Sequence, residues 1–291
     1  MIDAAFGADW SASLSRASDG ELADWLAFCH QTCDLADEIA MSAFRSAAVR
    51  VDRKADGSFV TEADRTIERL IRDRVAERFP THGIVGEEYG SAEAGGGERW
   101  YVDPIDGTHN FMRGLPLFGT LLAIERDGEV QAGMISAPAL GQRWWASRGR
   151  GAWVIGGPNG STEPRRLTVS DVTDLGDAQV LFRSIRDMEA SRVADGFVRL
   201  VHRAWRERGF GDFWGYTLVS DGVAEAMLEQ DLYPWDLAAP WIVVEEAGGR
   251  ITDFDGRRSF ERGEALATNG RLHQAVLATL HDAEGGTGEE G

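Results

Sequence analysis

The residues with the most chemical potential in this chain are carboxylates placed at the ends of three separate segments. Trp100 to Phe111 reads WYVDPIDGTHNF, with Asp103 and Asp106 three apart around Pro104. Glu87 and Glu88 follow Gly86, and Asp236 follows Trp235 far downstream. Each has a plain reading alone: a solvated turn for Glu87-Glu88, a turn dipeptide for Asp106-Gly107, a helix N-cap for Asp236. The middle segment carries more. Pro104 has no N–H for a β-ladder, so a strand arriving through Trp100 is expected to stop there. That would free the Ile105 carbonyl as an oxygen ligand and turn Asp103 and Asp106 to one side. Gly107-Thr108 would then open a helix whose first N–H groups lack helical partners, a setting that suits a phosphate. Hard oxygen donors beside an anion pocket are what a Mg2+-dependent phosphate enzyme needs.

Several elements must position these groups. Ser18-Asp19-Gly20-Glu21 has the spacing of a capping box, and apolar residues from Leu22 to Phe44 recur at helical spacing. After a polar loop, a second helix is expected from near Thr61, burying Ile67, Ile71 and Val75 and ending at Pro80. Gly83 to Gly86 reads as a short strand, 91–97 as a Gly-rich loop, and Trp100 to Val102 as a strand. Strands are then expected over 118–125, 130–137 and 142–147, separated by turn signals at Asp127-Gly128 and 138–141. Downstream, Val180 to Phe182 reads as a strand and 192–206 as a helix. Gly211-Asp212 opens a helix reaching about Met227, and Asp236 opens another that Gly248-Gly249 closes. With no internal repeat or long linker, the expected organisation is one catalytic unit over 19–280 in two packed halves, about 19–155 and 156–280. Residues 1–18 read as a mobile leader and 281–291 as a disordered acidic tail.

The bulk numbers narrow the partners. Against 30 basic residues stand 48 acidic ones, a formal charge of −18. Nucleic acid is disfavoured, because phosphate backbones are bound through Lys/Arg surfaces. A small phosphorylated substrate is compatible only if cations bridge the like charges. No apolar run reaches the roughly 18 residues of a membrane span, and the first residues lack the order of a secretory signal. Cys29 and Cys33, spaced i,i+4 on the first helix, read as core thiols, and a cytoplasmic protein is expected. No GxSxG, HExxH or GxxxxGK[ST] pattern points to another mechanism.

GEE, DPIDGTHNF and WDLAAPWIVVEEAGG, in this order, resemble the signatures of the inositol monophosphatase family, and the likeness runs over roughly 21–280. The resemblance implies an α/β protein of the five-layered αβαβα sugar-phosphatase type, acting as a Mg2+-dependent, lithium-sensitive phosphomonoesterase. It implies that Glu87, Asp103 and the Ile105 carbonyl hold one cation, and Asp103, Asp106 and Asp236 a second. A third would lean on Glu87 through water, giving two to three Mg2+ per site. By the same resemblance the Gly107 and Thr108 amides take phosphate oxygens. Asp64 pairs with the Thr108 hydroxyl to orient the attacking water, although Asp64 also stands three after Thr61 and would complete a capping box. Lys54 lies in the loop that the family folds over its site, where a free surface lysine is the alternative. Family members are commonly homodimers, so one is expected here.

Within the family the wording of DGTHNFMRGLPLFGTLLAI, APALGQRWWASRGRGAW and GDFWGYTLVSDGVAE is most similar to the histidinol-phosphate phosphatases. L-Histidinol phosphate carries an ammonium and an imidazole, so its pocket should offer carboxylates near the leaving group. Asp212 and Glu229 are candidates. Asp212 could instead cap a helix, and the position of Glu229 serves inositol-cleaving relatives as well. Inositol 1-phosphate and other small sugar or nucleotide phosphates are the alternative substrates. Two positions depart from the usual pattern: His109, which is left unassigned, and Pro240, which is expected near a first helical turn where it is tolerated.

Overall fold

The computed structural model describes residues 17–45, 51–53, 59–93, 95–157, 160–260 and 262–282. Lys54, residues 1–16 of the expected leader and residues 283–291 of the expected tail lie outside the described residues.

Helix α1 (Asp19–Ala43) starts where the Ser18 hydroxyl accepts from Glu21 N at 3.3 Å and Glu21 Oε2 accepts from Ser18 N at 2.7 Å. This is the reciprocal box that the spacing suggests. Strands β1 (Val51–Arg53) and β2 (Phe59–Thr61) pair antiparallel and lead into α2 (Glu62–Arg78). The chain then lays down β3 (Gly83–Gly86), β4 (Gly90–Ala92), β5 (Glu98–Asp106), the short helix α3 (Thr108–Arg113), β6 (Gly119–Arg126), β7 (Glu129–Ala137), β8 (Gln142–Ser147), β9 (Ala152–Gly156) and β10 (Arg165–Arg166). Among the described residues these strands form one eight-stranded sheet in the order β10-β9-β8-β7-β6-β5-β3-β4. Only β3 and β5 run parallel in it.

The second half follows β11 (Gln179–Phe182), α4 (Ile185–Ala190), α5 (Ala194–Arg203), β12 (Arg206–Arg208), α6 (Asp212–Ser220), β13 (Ala226–Gln230), α7 (Pro234–Glu246), β14 (Arg250–Thr252), β15 (Glu264–Thr268) and α8 (His273–His281). Its strands make a second sheet, ordered β12-β11-β13-β15-β14.

Alternation along the strands fixes the layers. Trp100, Val102, Leu122, Ile124 and Met134 pack against α1 and α2, while Tyr101, Leu121, Ala123 and Ile135 meet Ala239, Ile242 and Val243 of α7. In the second sheet Leu181, Met227, Ala265 and Ala267 join Tyr216 of α6 and Trp241 and Val244 of α7. Val180, Phe182, Leu228 and Leu266 face Met188, Phe197 and Val276 of α4, α5 and α8. The result is the expected αβαβα stack of five layers. Helix α7 is buried on both sides, which is why its sequence from Leu237 to Val244 is apolar all round. No helix among the described residues is long and apolar enough to cross a membrane.

Four local expectations need correction. The strand does not stop at Pro104: β5 continues to Asp106, with its register against β6 shifting between Asp103 and Asp106. At such a bulge the ladder does not ask Pro104 for an N–H. The helix from Asp212 ends at Ser220 rather than near Met227, because Gly222 turns the chain at φ 68° and 226–230 is claimed as a central strand by β11 and β15. The helix expected over 192–206 is shorter, since Arg206–Arg208 pair with β11. Within the expected loop 91–97, Ser91 and Ala92 belong to β4.

Pro240 sits inside α7, past the first turn that Pro234 begins. It cannot donate to the Asp236 carbonyl four residues back. Packing between the two sheets sustains the helix there.

Sheet and helix pack tightly at Gly133 of β7, where an added Cβ would stand 2.7 Å from Ile242 Cγ2 and 3.1 Å from Ala239 Cα. Gly133→Ala should therefore cost about 1–3 kcal/mol by overpacking. The check is a lower midpoint in urea unfolding, with the slope unchanged.

Candidate active site

Four backbone donors aim four carboxylates of the site. At the bulge of β5 the Ile105 N–H donates to Asp103 Oδ1 at 3.0 Å, and the Thr120 hydroxyl donates to the Pro104 carbonyl at 2.9 Å. In the first turn of α6 the Phe213 N–H donates to Asp106 Oδ2 at 2.6 Å, and the Asp212 N–H donates to Glu229 Oε1 at 3.3 Å. At the tip of α7 the Tyr233 N–H donates to Asp236 Oδ2 at 2.7 Å. The N-cap is therefore Tyr233 and not Asp236 as the sequence suggests: Asp236 stands three residues further on and completes the capping box from inside the helix.

These groups surround a cavity of about 180 Å³. The first half contributes Glu87, Asp103, Ile105, Asp106, Gly107 and Thr108 to its wall, and the second half contributes Asp212, Glu229 and Asp236. Gly107 has φ 80°, and a Cβ there would stand 2.8 Å from the Leu117 carbonyl, so both conformation and space call for glycine. Asp64 lies behind this wall, wholly buried. Its Oδ2 accepts from the Thr61 N–H and hydroxyl, completing the cap, while Oδ1 stands 3.4 Å from the Thr108 hydroxyl. That hydroxyl is also 3.0 Å from the Ile105 carbonyl, and its single proton can serve one acceptor at a time.

Asp212 is not a cap. Gly211 holds the cap position without a side chain to offer, and Asp212 adopts φ 57° with its carboxylate accepting from Asn110 Nδ2 at 3.2 Å. Asn110 reaches on to the Leu117 carbonyl at 2.9 Å.

Burial and mutual repulsion raise the carboxyl pKa values together. Asp103 is held well above its usual range by burial first and then by Glu87, Asp106 and Asp236. Asp106 is raised by burial, then by Asp212 and Asp236. Asp236 is pushed up to about 7 and Asp64 to about 6, burial leading in both. Burial and Asp212 push Glu229 to about 8. Among the described residues, Arg183 places a cationic side chain in the wall. Burial works against its charge, but Glu229, Asp187 and Asp212 outweigh that and keep the guanidinium protonated.

Sequence reasoning passed over Arg183, Tyr216, Asp231, Tyr233 and Trp235, all of which line the cavity, as does the unassigned His109. Arg183 left a signal: it is a lone cation directly after the apolar strand Val180 to Phe182. Tyr233 and Trp235 stack at 4.8 Å with an interplanar angle of 10°. The Tyr216 hydroxyl and Glu229 Oε2 are buried beside one another, yet neither completes a well-aligned hydrogen bond.

Cations fit this chemistry. The walls present carboxylate and carbonyl oxygens, the ligand set of a hard divalent ion, and the raised pKa values mark a cluster short of positive charge. Among the described residues no three such side chains stand close enough together to hold an ion as they are.

A model of the inositol monophosphatase family matches residues 21–284. A histidinol-phosphatase of Mycobacterium tuberculosis is 43% identical over 249 residues, covering 85% of this chain and 94% of its own length. A histidinol-phosphatase of Streptomyces coelicolor is 41% identical, covering 89% and 97%. Among solved structures, an IMPase of Thermotoga maritima superposes with a TM-score of 0.75 at 31% identity, covering 88% of this chain and 96% of that one.

The raised carboxyl pKa values set the pH dependence of the metal-free protein. The fold retains protons that the unfolded chain has released by about pH 5, so stability falls as pH rises through the folded values. With chelator present, the melting temperature should drop by several degrees between about pH 6.5 and 8.5, at about 2–4 °C per kcal/mol. Mg2+ at the higher pH should restore it. Below this window His273 acts in the opposite sense, because its buried ring stays neutral with a pKa lowered to about 3.

Proposed function

The chain belongs to the inositol monophosphatase family, and from that premise we propose that it is a histidinol-phosphatase, hydrolysing L-histidinol phosphate to L-histidinol and phosphate with Mg2+ as cofactor. The observation that carries the substrate is the likeness, at more than two-fifths identity over most of the chain, to two proteins bearing that name.

In this reading Glu87, Asp103, the Ile105 carbonyl, Asp106 and Asp236 hold two to three Mg2+. When bound, the ions supply neutralisation of the acidic wall and activation of water. The Gly107 and Thr108 N–H groups grip phosphate oxygens, keeping the phosphorus in line for attack. The Thr108 hydroxyl, poised between Asp64 Oδ1 and the Ile105 carbonyl, orients the attacking water and passes hydrogen bonding back to Asp64. By the family resemblance Lys54 would act from the loop that the family folds over its site. On the leaving-group side Asp212 and Glu229, both raised chiefly by burial, meet the substrate's ammonium and imidazole, whose charge would favour their ionised forms. A place in histidine biosynthesis, a cytoplasmic location and a homodimer belong to the same reading. Cys29 and Cys33, buried as free thiols in α1, suit a reducing compartment.

Phosphate release tests the proposal. With Mg2+, kcat/KM on L-histidinol phosphate should exceed that on inositol 1-phosphate and on 3′-phosphoadenosine 5′-phosphate by about 100-fold or more, a difference of about 2.7 kcal/mol. Comparable turnover of all three would overturn the narrow substrate. Asp106→Asn should lower kcat by about 10²–10³-fold with folding intact, on the scale of losing one preorganised charge-stabilising group. For the specificity side, Asp212→Asn should reduce kcat/KM on L-histidinol phosphate about tenfold and leave inositol 1-phosphate hydrolysis within twofold, as expected for one charge-assisted contact.

A further inference from the structure

The turn that presents Glu87 has an anchor with no part in the site described so far. Glu68 lies on α2, wholly buried, an acid on the same stripe as Ile67 and Ile71. Its Oε2 accepts from the Glu88 N–H at 2.6 Å and its Oε1 from the Tyr89 N–H at 3.1 Å. Oε1 also accepts from Arg72 Nε at 2.8 Å, one helical turn along. Arg72 reaches past the turn to donate to the Gly90 carbonyl. The approach requires Gly86, since a Cβ there would overlap Glu68 Oε1. On its other side the turn is tied to β5, where the Glu87 N–H donates to the Val102 carbonyl at 3.3 Å. Glu87 is therefore held at its own N–H and at that of the next residue, and its charge acts on Asp103, Asp64 and Asp236.

We infer that Glu68 is a positioning residue for cation binding: paired with Arg72, its carboxylate grips the Glu88 and Tyr89 amides and so aims Glu87 at Asp103 across the cavity. The inference rests on the reading of Glu87 as a cation ligand. A carboxylate suits this post because both its oxygens accept, whereas a glutamine would turn an NH2 toward one of the two amides. Groups that orient ligands in this way are worth about 10–100-fold in metal affinity. A purely structural role would lower stability and leave the affinity alone.

The test is a Mg2+ titration followed by thermal shift without substrate and by phosphate release with it. Glu68→Gln should raise the midpoint about tenfold or more in both readouts, with KM for the ester at saturating Mg2+ within twofold. Gly86→Ala, which keeps Glu68 but displaces its carboxylate, should move the midpoint in the same direction. Asp73→Asn, exposed on the same helix, should leave it in place. If the unaltered protein shows no Mg2+ response, the reading of the site itself is wrong. If it responds and both variants titrate as it does, Glu68 has no positioning role. Failure of both variants to melt cooperatively even with Mg2+ would also overturn the inference, because Glu68 would then be holding the fold rather than the ligand.

Discussion

Asp103, Asp106, Glu229 and Asp236 line one small cavity, with Arg183 as a cation in its wall among the described residues. Two unit charges about 4 Å apart repel by about 4 kcal/mol at an effective dielectric constant near 20. A flexible scaffold would relax such a cluster by turning the acids outward. Here each is caught by a backbone N–H: Asp103 by Ile105, Asp106 by Phe213, Glu229 by Asp212 and Asp236 by Tyr233. Those donors belong to a strand bulge and to the starts of α6 and α7, and the layered core immobilises all three. The apolar packing of the fold is in this sense spent on keeping like charges together.

Neither half owns the cavity. The first sheet ends in the bulge of β5, and the second half brings α6, α7 and β13 to it, with α7 wedged between both sheets. The Asp106 carboxylate is gripped by an amide more than a hundred residues away in sequence. The complete site therefore requires both sheets in place.

Much of this was legible in the residues. The capping boxes at Ser18 and Thr61, the antiparallel strands around Asp127-Gly128 and the αβαβα class follow from local chemistry and from the family resemblance. What escaped was set by distant partners. The sequence from Ala224 to Met227 is as compatible with a helix as with a strand, and only pairing with β11 and β15 decides the matter at 226–230. Pro104 truly lacks a donor, but a bulge removes the demand for one. Glu68 left a faint trace, an acid on an apolar helical stripe, whose meaning depends on the Gly86–Tyr89 turn folding over it. The stacking of Tyr233 on Trp235 left none.

The sparse positive charge of the cavity favours an order of events in the proposed reaction. Where the pH exceeds the raised carboxyl values, the unloaded wall would repel a dianionic ester, so in this reading bound cations would favour its entry. The protein in its unloaded form should be insensitive to its own product, and inhibition by phosphate should grow with the very ion concentration that turns the catalyst on.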